Sequence, residues 1–219
     1  DTDWAKGASA EDAEITIYEY SDFQCPGCGG MYPVLQAFLD DNPEVRLVYR
    51  HFPLDFHQHA MITSAAAEAA GAQGKFWEMH DLLFDRAADW SPLSEEEVRS
   101  SMSRYAEQLE LDVEAFDAAL DEGAYDEKIQ AQYDEAIELG LPGTPSFIFN
   151  NVLFPSDIGL SYQGLESFKT ILENQDDIFF PNPPEVVVAS EDDYEAVLST
   201  SQGDIRINLL AESAPVNVN

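Results

Sequence analysis

Cysteine is scarce: the chain of 219 residues has two, and both fall in one string, Cys25-Pro26-Gly27-Cys28. One pair cannot build a framework of structural disulfides. A bridge over so short a loop also stabilises little, because that effect grows with the length of the loop closed. A zinc site of the usual four ligands would need two more from His51, His57, His59 and His80. His57 and His59 stand at i, i+2 and do not share a helix face, so no metal is expected. Positive charge is also scarce: 10 Lys and Arg against 43 Asp and Glu leave a net charge of -33. That excludes nucleic acid, whose binding needs clustered cations, and disfavours anionic membrane surfaces. The acids are dispersed, as on a solvated acidic surface that keeps a protein soluble at the expense of self-repulsion. The shortage of Lys also fits a high-salt habitat, a hypothesis that loss of the fold on desalting would support. No apolar run approaches the ~18–20 residues of a membrane span. The chain starts at Asp1 rather than Met and stops at Asn219 without a terminal signal. It reads as a piece of a longer protein, so the lack of a signal peptide says nothing about export.

Hydrophobic residues make up 45% of the chain, enough for a sizeable core. Residues 1–13 are small, polar and acidic, and read as a flexible N-terminal tether. "EITIYEY" (14–20) alternates and is β-branched and aromatic, which predicts a strand. Within five residues comes the Cys pair, with Pro26 at a helix N1 position and helical apolar spacing through "MYPVLQAFLDDN". Pro33 is expected to kink that helix. "EVRLVYRHF" (44–52) predicts a second strand, parallel to the first through the crossover helix. From about 59 to 139 the pattern is helical. Phe76, Met79, His80, Leu83 and Phe84 form one stripe, and Ser94 with Glu97 forms a capping box. Gly123 and Gly140 end two further helices. "SFIFN" and "VLF" predict an antiparallel pair turning at Asn150-Asn151, and "LESFKTILENQ" a closing helix. Residues 177–192 are proline-punctuated and acidic, a linker. "YEAVLST", "SQGD" and "IRINLL" then read as a β-hairpin. The fold class expected is α/β, helices inserted in the middle of a β/α sheet, with a C-terminal hairpin extension.

The chemistry follows from thiols. A thiolate, not a thiol, attacks a disulfide. Cys25 lies at a helix start, where the dipole and free N–H groups favour negative charge. Cys25 is therefore expected to attack and the more buried Cys28 to resolve the mixed disulfide. Pro26 and Gly27 hold the sulfurs close. Cys28 needs a proton acceptor, and Glu19, six residues before Cys25, shares strand parity with Ile15 and Ile17. A buried carboxyl has a raised pKa and can trade protons near neutrality. The pattern alone leaves open whether Glu19 points inward or to solvent. Pro145, in "GTPS", sits at a strand start, where a missing N–H is tolerable. Phe52, Phe56 and Met31 are candidates for an apolar rim around the site.

These strings together, "ITIYEYSDFQCPGC", "VRLVYRHFPL", "KFWEMHDLLF" and "GLPGTPSFIFN", give residues 14–176 a resemblance to the DsbA-like branch of the thioredoxin superfamily. The resemblance implies a thioredoxin-like core with an inserted all-helical domain. It implies an exposed nucleophile at Cys25, a buried acid at Glu19 and a cis-proline at Pro145. Thr144 would offer backbone groups to an extended substrate segment. His57 matches a position of structural rather than catalytic character. Strong oxidases of this kind carry His where this chain has Gly27, so a less oxidising protein is implied. Residues 193–219 resemble the first hairpin and helix start of a cyclophilin-type prolyl isomerase, cut off before its catalytic residues.

The function implied is a thiol–disulfide oxidoreductase acting outside the cytoplasm, with room for a membrane tether ahead of Asp1. Its partners would be cysteine-containing exported polypeptides and a redox partner that resets the pair. It needs no cofactor beyond the redox-active Cys25–Cys28 disulfide. The alternative is a polypeptide-binding, chaperone-like module, in which Cys25→Ser leaves the action on clients intact. A metal-trafficking thiol site is a third reading, which retained zinc or copper would reveal.

Overall fold

The computed structural model describes residues 3–174, 194–200 and 203–209. The chain divides into two compact units, one through Thr170 and one from Ile171. The first is a five-stranded sheet in the order β1-β3-β2-β4-β5. Its strands are β1 (Trp4–Gly7), β2 (Ile15–Ser21), β3 (Val45–His51), β4 (Ser146–Phe149) and β5 (Val152–Leu153). β2 and β3 are parallel and joined by α1 (Pro26–Asp41), the βαβ unit expected from the sequence. β4 runs antiparallel to β2, and β5 antiparallel to β4. Asn150 and Asn151 turn that hairpin with positive φ of 45° and 72°, the left-handed conformations that Asn tolerates in a tight turn.

Strand parity sorts the sheet. Ile15, Ile17, Glu19 and Ser21 of β2 are buried on one face, in register with Val45, Leu47, Tyr49 and His51 of β3. α1 buries Cys28, Met31, Leu35 and Phe38, a stripe at helical spacing, and each such apolar side chain contributes roughly 1.5–3 kcal/mol when removed from water. α1 continues through Pro33, whose ring sits inside the helix.

Between β3 and β4 the chain builds the helical insertion: α2 (Ala60–Ala72), α3 (Phe76–Asp85), α4 (Ala87–Trp90), α5 (Glu95–Gln108), α6 (Val113–Asp121) and α7 (Asp126–Glu138). α2 is buried along ten of its thirteen residues, as a helix apolar on all sides must be, and α3, α5, α6 and α7 pack around it. The stripe Phe76, Met79, His80, Leu83 and Phe84 is core. The Ser94–Glu97 capping box is present: the Glu97 carboxylate accepts from the Ser94 N–H at 3.0 Å and hydroxyl at 2.7 Å. The short α4 has no counterpart among the expected elements. α8 (Tyr162–Glu173) follows the β5 hairpin.

The N-terminal expectation needs correcting. Residues 4–7, read as part of a flexible tether, form β1 and pair antiparallel with the edge of β3. The Trp4 ring stacks on Phe76 at 4.8 Å and lies against Gly71, where any Cβ would collide with it. Trp77 Nε1 donates to Ala5 O at 3.2 Å. Burial of one indole and a ladder of backbone bonds hold a segment whose composition is that of a loop.

In the second unit, β6 (Tyr194–Thr200) and β7 (Gly203–Leu209) pair antiparallel, Tyr194 opposite Leu209, the hairpin expected there. The expected linker at 177–192 lies outside the described residues, as do the ten residues after Leu209.

Candidate active site

The Cys pair sits where β2 hands the chain to α1. Cys25 is the N-cap residue, extended at φ -73° and ψ 120°, and Pro26 occupies the first helical turn. Pro belongs there because its missing N–H has no helical partner to lose. Cys28 lies one turn in and is fully buried, and Cys25, expected to be exposed, is also buried, with 9% of its surface open. Both thiols are unbonded. Across from them the Thr144–Pro145 peptide is cis, the geometry that the resemblance implies. The Cys25 thiol donates to Thr144 O at 3.3 Å. A Cβ on Gly27 would stand 3.1 Å from Pro145 Cδ and 3.6 Å from Cys25 Sγ. Gly27 therefore keeps the helix start close against the proline loop.

The electrostatics separate the two sulfurs. Cys25 is lowered to about 5, first by a hydrogen bond from the Cys28 thiol, against a burial penalty, then by Thr144 and the N–H groups of Cys28 and Gly27. The Thr144 hydroxyl is otherwise buried without a partner, so its hydrogen is free for a thiolate. Cys28 is pushed far up, by burial and then by its bond to Cys25. One sulfur is thus ready to attack at neutral pH, and the other keeps its proton until something takes it.

Glu19 points inward. It is 2% exposed, opposite Tyr49 on β3 and Phe147 on β4. Burial raises its carboxyl to about 7, partly offset by Ser21 and by Lys6. That value suits proton exchange near neutrality.

Of the apolar-rim candidates, Met31 and Phe52 are buried in the core, and Phe56 is 79% exposed. An apolar groove of about 420 Å³ opens beside Pro145, lined by Pro142, Phe147, Leu153, Phe154 and Leu160.

Two residues of this site were not singled out from the sequence. Asp22 is fully buried and ties the entry loop together. Its carboxylate accepts from the N–H groups of Gln24 at 2.8 Å and Leu54 at 2.9 Å, and lies 2.7 Å from His57 Nδ1. Its carbonyl accepts from the Cys25 N–H. His57 thereby holds the loop rather than facing the sulfurs. Ser21 is the other; its parity with Glu19 was the available signal. Among the described residues no cluster of three or more His, Cys, Asp or Glu could hold a metal ion.

A family model described as thioredoxin matches residues 3–174. Among curated proteins, the Na(+)/H(+) antiporter NhaA 3 of Salinispora tropica is 39% identical over 151 residues, covering 68% of this chain and 22% of that protein. The chain thus spans about a fifth of the length of the curated relatives it matches. Among solved structures, a thioredoxin-like oxidoreductase from Silicibacter pomeroyi DSS-3 matches with a TM-score of 0.62 at 24% identity, covering 80% of this chain and 93% of that one. Oxidised BdbD from Bacillus subtilis matches with a TM-score of 0.63 at 18% identity, covering 80% and 92%. At these identities the likeness is one of fold, the thioredoxin core with its helical insertion.

Proposed function

The chain belongs to the thioredoxin family, and from that premise we propose that it is a DsbA-like thiol–disulfide oxidoreductase exchanging disulfides with cysteine-containing exported polypeptides. The observation that carries the reading is the asymmetry of the pair: Cys25 at a helix N-terminus with its pKa drawn down to about 5, and Cys28 buried with its own pushed up. The Cys25 thiolate attacks a client disulfide and expels one client sulfur, forming a mixed disulfide. Cys28 loses its proton toward Glu19 and attacks Cys25 Sγ, which releases the second client sulfur and leaves the pair oxidised. The reverse sequence donates a disulfide. Pro26, Gly27, Thr144 and Pro145 shape the contact with the client backbone, and the apolar groove beside Pro145 supplies area for its side chains. A redox partner then resets the pair.

The setting proposed is outside the cytoplasm, where disulfides persist. Among the described residues no helix is long and apolar enough to cross a membrane. The relatives named as antiporters carry the matched stretch as 22% of their length, which supports a tether to a membrane through another segment. Residues 193–219 are read as the start of a cyclophilin-type domain with no complete isomerase site in this chain. The β6–β7 pairing gives the hairpin that this reading requires, and equally a hairpin extension without a further domain. A longer reading frame without cyclophilin motifs would remove the cyclophilin reading.

The test is the reduction potential of the pair, measured by equilibration with glutathione buffers. About -120 mV marks a donor of disulfides and about -270 mV a reductant or isomerase. With Gly27 where the strongest oxidases have His, a value between the two is expected. Absence of any reversible couple would overturn the oxidoreductase reading and leave the polypeptide-binding module.

A further inference from the structure

Three polar side chains crowd one patch of the sheet beneath α1. Glu19 and Ser21 alternate on β2, and Tyr49 faces Glu19 from β3. They are 2%, 0% and 1% exposed. The Ser21 and Tyr49 hydroxyls are both buried with no partner at full hydrogen-bond geometry, and the Ser21 hydroxyl is near enough to Glu19, Cys28 and Tyr49 to lower the pKa of each. Orphaned polar groups at such depth are rare and call for an account.

Two residues along a strand advance roughly 6.6 Å, so Ser21 lies that much nearer the Cys motif than Glu19 does, on the same face. The backbone N–H of Asp22, the next residue, favours the Cys28 thiolate. Burial raises both Glu19 and Cys28, and the Ser21 hydroxyl is the side chain that lowers both. The other charged or titratable groups near the patch are Lys6 from β1, Asp22 just after β2, Cys28 from α1, His51 from β3 and His80 from α3.

We propose that the Ser21 hydroxyl is the relay through which Cys28 gives up its proton to Glu19. The inference rests on the oxidoreductase reading above and adds a residue to it. The Cys28 proton moves to Ser21 Oγ as the Ser21 hydroxyl hydrogen passes to the Glu19 carboxylate. The Cys28 thiolate then attacks Cys25 Sγ. The Cys25–Cys28 bond forms, the bond from Cys25 to the client sulfur breaks, and the client leaves as a thiolate. The pair is oxidised by two electrons and the client reduced by two. The serine ends as it began, with a hydroxyl.

The experiment mixes the reduced full chain with stoichiometric 5,5′-dithiobis(2-nitrobenzoate) and follows the two releases of thionitrobenzoate by stopped flow. The first reports attack by Cys25, the second resolution by Cys28. Ser21→Ala is expected to leave the first phase near wild type and slow the second by about 100-fold, the low end of what positioned proton transfer supplies. Ser21→Thr, which keeps the hydroxyl, should recover most of that loss, and Tyr49→Phe should change neither phase. A normal second phase in Ser21→Ala would overturn the relay. So would a slow second phase in Tyr49→Phe alone. If Ser21→Ala does not fold, the wild-type rate of the second phase in mixtures of light and heavy water decides. A curved dependence on deuterium content means two protons in flight, and a straight line overturns the relay. Absence of the first phase in the wild type would sink the oxidoreductase reading itself.

Discussion

Arg99, in the helical insertion, donates to the Ser103 hydroxyl, the Asp117 carboxylate and carbonyl, and Asp121 at 2.7–3.1 Å, partly open to water. The sheet beneath α1 differs: Glu19, Ser21 and Tyr49 lie in the dry interior, the two hydroxyls with no partner at full hydrogen-bond geometry. Both regions have an apolar core, and Phe116 of the insertion is as buried as Phe23 under the site. What separates them is the treatment of polar groups. Arg99 pairs its charge near the surface, where each pair contributes little, and the buried Glu68 of α2 is met by His51 at 3.0 Å and Lys128 at 2.8 Å. The patch under α1 holds its polar groups out of water, where unmade bonds are costly and proton affinities move. Of the buried polar atoms left without a partner, those of Ser21, Tyr49 and Thr144 lie at or beneath the Cys motif, and those of His59 and Ser64 lie in the insertion.

The largest effects should come from breaking the site half of this contrast. Cys25→Ser removes the attacking sulfur and should abolish exchange with a model disulfide. Cys28→Ser should still attack but accumulate a mixed disulfide on Cys25, visible by mass spectrometry of the intact chain. Both thiols sit in one buried cluster with insertion residues such as Met79 and Leu83, and serine nearly keeps the shape of cysteine there, so the thermal midpoint of the reduced protein should move little. A Cys25→Ser protein that still exchanges disulfides would remove the site from β2 and α1 altogether.

Glu19→Gln should have the next largest effect, and it sharpens the contrast through pH. Burial raises Glu19 to about 7 from an ordinary 4.5. Between those values the folded protein holds a proton that the unfolded chain has released. The stability tied to Glu19 is full below about pH 4.5 and lost as pH rises through 7, a swing of about 3 kcal/mol. His80, on α3, works the other way. Burial lowers it to about 4 from 6.5, against the pull of Asp81. Its contribution is present above about pH 6.5 and lost as pH falls to 4, with a swing of similar order, about 3 kcal/mol. His51 is also held low by burial and adds to the acid side. The opposing slopes flatten the wild-type profile between about pH 4.5 and 6.5. Urea titrations of Glu19→Gln should show stability rising with pH across that window and exceeding wild type at pH 8. An unchanged profile would mean that Glu19 is not the buried proton carrier.

How much of this could be read beforehand depends on whether a signal was local. β2, β3 and the Asn150-Asn151 hairpin carry their parity and turn residues in sequence. The Cys25–Cys28 pair announces itself, and α1 to α3 and α5 to α7 show apolar spacing and caps such as Ser94 and Glu97. β1 was invisible because "WAKG" has neither length nor alternation; its strand comes from the open edge of β3 and the seat that Gly71 leaves for Trp4. Asp22 reads as a loop acid, and only the fold brings Leu54 and His57 to its carboxylate. Met31, three residues past Cys28, and Phe52, just after β3, are apolar residues near the site, and apolar character alone does not separate a rim from the core in which both are buried. Ser21 could have been found by extending the parity of Glu19 by two positions.

The smallest effect comes from the insertion and tests whether the two regions are independent. The cap of α5 joins the Ser94 N–H and hydroxyl to the Glu97 carboxylate at the exposed start of the helix. Ser94→Ala deletes the hydroxyl and leaves the first turn with an unmet donor, a change that costs about 1 kcal/mol in typical helices. In a chain of this size that lowers the thermal midpoint by roughly 2–4 °C. The insertion meets the site through α3, whose Phe84 packs on Phe23 and Tyr32, and through Gln24, which accepts from the His59 N–H and donates to the Ser91 hydroxyl. None of these contacts uses the Ser94 hydroxyl, and α5 lies against α2, α3, α4 and α6. Loss of a surface cap on α5 should therefore leave the reduction potential of the Cys pair and both phases of thionitrobenzoate release at their wild-type values. A shifted potential in Ser94→Ala would mean that the helical layer tunes the thiolate from a distance, and the division between a region that stabilises and a region that reacts would fail.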